Sequence, residues 1–111
     1  ADEATRKKSF LKDEKLLESA ILALGNAAFG LQDVKTLIGR ERGIEAIVAI
    51  ATNHLHSIQL TEASLRTLRC LADSCSLNQR LEGESKVIEY VTECMRRYPA
   101  EEGIQEQSCA L

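Results

Sequence analysis

Two residue types in this chain could carry reactive chemistry, cysteine and histidine. The cysteines are Cys70, Cys75, Cys94 and Cys109, and the histidines form the triplet His54-Leu55-His56. Structural zinc sites bring paired ligands at spacings such as Cys-x2-Cys, with a second pair beyond. Here four residues separate Cys70 from Cys75, and no second pair follows. The spacing therefore predicts loop histidines and ordinary thiols, with no metal and no cofactor. Cys75, near a helix end, is the one candidate for a thiol nucleophile served by a histidine base. Nothing marks an orienting group or an oxyanion site, so no catalytic residue is assigned. The glycines punctuate helices and do not form a phosphate-binding loop.

A second kind of chemistry, recognition, is written on one helical face. From Leu60 to Ala72 the apolar or small residues Leu60, Ser64, Leu65, Leu68, Leu71 and Ala72 share a stripe. The other face presents Glu62, Ala63, Arg66, Arg69, Cys70 and Asp73. Arginines at such positions can pair with acidic side chains of a partner, or more plainly with Glu62 and Asp73 on their own helix.

This helix has copies. Shifted back 44 residues, Leu16 to Ala28 places Leu16 under Leu60, Glu18 under Glu62, Leu24 under Leu68 and Ala28 under Ala72. Shifted forward, Ile104 to Leu111 sets Glu106 under Glu62 and Ser108 under Ser64. A fixed period of this size marks a stacked helical repeat. The pattern predicts residues 1–12 as a polar, frayed segment and Asp13 as the cap of a first long helix. That helix ends at Phe29-Gly30, with Gly30 in a left-handed conformation. A short helix (Gln32 to Arg40), a turn at Gly43, a medium helix from Ile44 and a loop through His54 and His56 lead to the central helix. The same parts return, with Gly83 under Gly39 and Ile88-Glu89 under Ile44-Glu45. Val34/Leu37/Ile38 and Ile88/Val91/Met95 are the predicted core stripes. The divisions expected are 13–30 as the last helix of a preceding repeat, 31–74 as a complete repeat and 75–111 as a truncated one.

Three stretches resemble the armadillo repeat family, of the beta-catenin and importin-alpha type. They are Gly43-Ile44-Glu45-Ala46-Ile47-Val48, Glu18 through Asn26 with its Ala-Leu-x-Asn run, and Ile104 through Leu111. The resemblance covers roughly residues 13–111. It implies an all-α superhelical stack, an alpha solenoid, whose third helices line a groove. It also implies a non-enzymatic scaffold or adaptor that binds a protein or peptide segment. The groove residues so implied are Glu18, Ser19, Leu22 and Asn26, then Glu62, Arg66, Arg69, Cys70 and Asp73, then Gln107. Asn26 matches the family's main-chain-binding Asn, whereas Cys70 replaces it in the next copy. An alternative is a regulatory array that controls a catalytic partner or an attached enzyme domain. Uncapped array ends imply marginal stability and self-association.

Composition bounds these readings. The 111 residues make one domain's worth of chain, with net charge −3, one Pro and no Trp. Interspersed charge argues against a nucleic-acid partner, and no stretch approaches a bilayer span, which argues against a membrane one. The basic run Arg6-Lys7-Lys8 reads as a solvated chain end. Four cysteines without framework spacing suit a reducing compartment, cytosolic or nuclear.

Overall fold

The computed structural model describes the backbone of residues 3–111 and the side chains of residues 13–111. The described residues form seven helices: α1 (Glu3–Ala28), α2 (Gln32–Arg40), α3 (Gly43–Asn53), α4 (Ile58–Ala72), α5 (Ser76–Glu84), α6 (Val87–Arg97) and α7 (Glu102–Cys109). There is no strand among the described residues. The molecule measures 47 × 28 × 21 Å along its principal axes.

α1 begins at Glu3, so Asp13 lies inside the helix and caps nothing. The side chains of Arg6, Lys7 and Lys8 lie outside the described residues. Gly30 adopts φ 71°, as its place after the helix requires. The turn into α3 works differently from the expected one. Arg42, not Gly43, takes the left-handed conformation, at φ 64°. Gly43 matters for space, since a Cβ there would lie 2.5 Å from Ile38 Cγ2 and 2.8 Å from the Ile38 carbonyl oxygen. Ser57 caps α4, its Oγ accepting from Leu60 N at 3.2 Å.

α1 packs on α4, α4 on α7, α2 on α5 and α3 on α6. α4 is central and buries Leu60, Leu65, Leu68 and Leu71 completely. Around it gather Ile21 and Ala28 from α1, Ile44, Ile47 and Ala51 from α3, Val87 and Cys94 from α6, and Ile104 from α7. The apolar stripe read from α4 is therefore the core, while Ala63, expected on the presented face, is also buried.

α4 also grips α1 by hydrogen bonds. Thr67 Oγ1 donates to the Ile21 carbonyl at 3.1 Å, and Cys70 Sγ donates to the Gly25 carbonyl at 3.4 Å. Ser64 Oγ donates within α4 to the Leu60 carbonyl. A Cβ on Gly25 would come within 3.0 Å of Thr67 Oγ1, so the two helices approach closely where glycine stands.

The uniform 44-residue register needs correction. In α4 and α7 the buried pairs Leu60/Ile104 and Ser64/Ser108 do lie 44 apart. In α3 and α6 the buried partners are Ile44/Val87, Ile47/Tyr90 and Ala51/Cys94, which lie 43 apart. Lys35/Asn78 and Gly39/Glu82 show the same 43 in α2 and α5. One residue is about 100° on a helix, so a one-residue slip turns a different face inward. Ile88 is consequently 65 % exposed, and Val87, Tyr90 and Cys94 form the buried face; of the predicted Ile88/Val91/Met95 stripe, Val91 packs half-buried on the core and Met95 is half-buried. Leu37 likewise points outward, while Val34 and Ile38 pack on the core.

Candidate binding groove

α1, α4 and α7 stand side by side and leave a groove of about 910 Å³ between them. Its walls include Leu22 and Asn26 from α1, Arg66, Arg69, Cys70 and Asp73 at and around α4, and Gln107 from α7. Seven of the ten residues singled out from the sequence thus meet in one concavity. Glu18, Ser19 and Glu62 do not line it. Glu62 instead lies against Gly103, where a Cβ would come 2.7 Å from its Oε1.

Both groove arginines are already engaged with the protein itself. Arg66 Nη2 meets Glu62 Oε1 at 3.2 Å, an exposed pair one helical turn apart. Such a pair is worth only about 0.3–0.5 kcal/mol, so a partner's carboxylate can compete for the guanidinium. Arg69 Nη1 donates to Gln107 Oε1 at 3.3 Å, a bridge from α4 to α7 across the groove floor. The Asp73 carbonyl accepts from Lys35 Nζ at 2.8 Å, which fixes the end of α4. Cys70, bonded to Gly25, is half-buried and does not present an amide to a bound chain.

Several groove residues were not anticipated. Phe29 is 79 % exposed at the groove's edge, where the sequence suggested only a helix end. Gln79 reaches it from α5, its Nε2 donating to the Ala72 carbonyl at 3.0 Å. Leu111 closes the far end. A second cleft of about 660 Å³ runs between α3 and α6, edged by Glu45, Lys86, Glu89 and Glu93. Its position depends on the one-residue slip of α6, which the periodicity did not reveal.

The cysteines are all free. Cys75 is 4 % exposed, and its sulfur lies 3.9 Å from Thr36 Oγ1. Cys94 is fully buried, and burial pushes its thiol up to about 11. Burial also raises the neighbouring Tyr90 hydroxyl above its ordinary value, with Cys94 adding to the shift. Only Cys109 is exposed. On α5, Glu82 is 6 % exposed, and burial raises its carboxyl to about 8.

His54 and His56 converge on Glu14 of α1, a residue that no spacing in the chain places with them. His54 Nδ1 lies 2.8 Å and His56 Nε2 2.7 Å from the same carboxylate oxygen, Glu14 Oε2. The only possible signal was the His-x-His spacing; a partner 40 residues earlier in sequence is invisible to it. No described helix is long and apolar enough to cross a membrane. No family model, curated protein or solved structure matches this chain.

Proposed function

We propose that this chain is a non-enzymatic protein-interaction segment of armadillo type that binds an extended protein segment along the α1–α4–α7 groove. In this reading residues 13–30 are the last helix of one repeat, 31–74 a whole repeat and 75–111 part of the next. Support comes from the packing order, in which each helix lies on its counterpart from the neighbouring copy. Gly39 and Gly83 add to it. The first is packed against α5, and the second faces open space where a following copy would sit. Four free thiols suit a cytosolic or nuclear setting.

The observation that carries the reading is the meeting of Leu22, Asn26, Arg66, Arg69, Cys70, Asp73 and Gln107 in one groove. An extended chain has unpaired amides and carbonyls along its length, and Asn26 is the exposed side chain suited to them. Arg66 and Arg69 favour acidic side chains, and Phe29 offers an apolar rest at the edge. Cys75, buried beside Thr36, is poorly placed as a nucleophile.

The test is selection of extended peptides from a random displayed library against the whole chain, followed by fluorescence anisotropy. Selected peptides are expected to carry spaced acidic residues. They should lose at least about tenfold in affinity on Arg69→Glu, the size of one charge-assisted contact. Peptides that bind the Arg69→Glu and Asn26→Ala variants as well as the parent chain would overturn the groove assignment.

A further inference from the structure

We propose that Glu14, His54 and His56 form a zinc site that clips α1 to the α3–α4 connection. The site is independent of the groove, and none of its three residues lines it. Each residue offers one ligand atom, and the three atoms lie within 4.8 Å of one another. Two imidazole nitrogens and one carboxylate oxygen are the donor set that a borderline cation such as Zn²⁺ accepts at about 2.0–2.2 Å.

Three features of the surroundings favour an ion over a chance cluster. First, the Glu14 side chain is 8 % exposed, so its carboxylate is held in a poorly solvated place. Both of its close partners there are imidazole nitrogens, so the carboxylate and the two rings already point their donor atoms at one spot. Second, the histidine loop is pinned at both ends and in the middle. His54 N donates to the Ala51 carbonyl at 3.1 Å and Ser57 N to the His54 carbonyl at 3.0 Å. Between the two histidines, the Leu55 carbonyl accepts the Tyr98 hydroxyl. A side chain 43 residues away therefore sets the backbone that presents both rings. Third, burial grades outward across the site. Glu14 is buried, the His54 side chain is 14 % exposed and the His56 side chain 49 % exposed. That arrangement lets an ion reach the buried carboxylate from the half-exposed His56 side.

The present spacing is close to what binding needs. Tetrahedral ligands at zinc bond lengths stand about 3.3–3.5 Å apart. The two Glu14–imidazole separations, 2.8 and 2.7 Å, would each open by roughly half an ångström or a little more. A rotation of the half-exposed His56 accommodates most of this. Once bound, the ion joins residues 40 positions apart, and it stabilises only the chain that has brought them together.

The experiment is isothermal titration of ZnCl₂ into the chelator-stripped full chain carrying Cys109→Ser, which removes the exposed thiol. One site with a Kd of about 10 μM or tighter is expected. His56→Ala, a change at a half-exposed ring that leaves the core intact, should weaken binding at least about tenfold. It should also abolish the zinc-dependent rise in Tm. Glu14→Gln should do the same wherever its circular dichroism shows a folded chain. Co²⁺ in place of Zn²⁺ should give visible ligand-field bands without the near-ultraviolet thiolate charge-transfer band. Absence of saturable binding, unchanged affinity in His56→Ala, or a thiolate band would each overturn the proposal.

Discussion

Asn78 interlocks with Gly39. Its Nδ2 donates to the Lys35 carbonyl and the Leu71 carbonyl, each at 2.8 Å, and so joins α2, α4 and α5 at one point. Its Oδ1 occupies the space a Cβ on Gly39 would need, at 2.0 Å. The contact is fully buried on the Asn78 side. Gly39→Ala must push Asn78 away from one or both carbonyls. The expected loss is about 1–3 kcal/mol for the overpacking, more if a carbonyl is left without a donor. Gly83→Ala, at an open position on a helix, should be neutral or slightly stabilising. Urea melts of the two variants, read against the parent chain, check the contrast.

Glu82 should make stability depend on pH in an unusual direction. Burial lifts its folded carboxyl to about 8 from the ordinary 4.5. Between those values the folded state holds a proton that the unfolded chain has released. The unfolded state therefore binds fewer protons, and stability falls as pH rises from about 4.5 to about 8. The stabilising share is fully present below the lower value and is lost through the upper one. The slope from this one group is at most about 1.4 kcal/mol per pH unit. Glu82→Gln should remove it, so the difference in stability between parent and variant, measured by urea melts from pH 4 to 9, should change across this window and flatten above it.

Much of this architecture was legible because α4 has a clean amphipathic pattern. Leu60, Leu65, Leu68 and Leu71 are all fully buried, as their spacing requires. The groove followed from the same pattern, since the face opposite a core stripe is the one presented. Its neighbours were less legible for physical reasons. α6 holds apolar residues at both Val87 and Ile88, and adjacent apolar residues leave the inward face undecided by about 100°. Packing chose Val87, Tyr90 and Cys94, and the 44-residue comparison, which is exact for Leu60/Ile104, misassigned Ile88. Gly43 stands at the expected turn, but Arg42 beside it bears the left-handed backbone, which no residue-type preference marks. Glu14 could not be found from spacing at all, because its link to His54 and His56 is made only by the α1–α4 docking.

The thiols should react in an order set by burial. Cys109 is exposed, Cys70 is half-buried, and Cys75 and Cys94 are buried. At pH 8, Ellman's reagent should label Cys109 first and Cys70 more slowly, since its sulfur also donates to the Gly25 carbonyl. Cys94, its thiol raised to about 11, should react only through unfolding. Stopped-flow absorbance on Cys→Ser variants assigns each phase. Fast labelling of Cys75 or Cys94 in the folded chain would mean that the α2–α5 or α3–α6 packing opens readily.

The outer side of α1 should drive association between copies. Leu16 is 68 % and Leu24 39 % exposed on this helix, although Leu60 and Leu68, the residues 44 positions later, are fully buried. In α4 those positions pack within the core; in α1 Leu16 is mostly and Leu24 partly open to solvent. Apolar side chains left in water at core-type positions favour pairing with another copy at roughly 25 cal/mol per Å² covered, against the entropy of association. Sedimentation velocity from about 5 to 500 μM should show reversible self-association in the parent chain. Leu16→Lys with Leu24→Lys should shift the midpoint to at least about tenfold higher concentration, with little effect on helicity because both positions are solvent-facing. A parent chain that stays monomeric over the whole range would refute the self-association, and a double variant that associates equally well would place the adhesive surface elsewhere, with exposed Phe29, Leu31 and Ile88 the next positions to change.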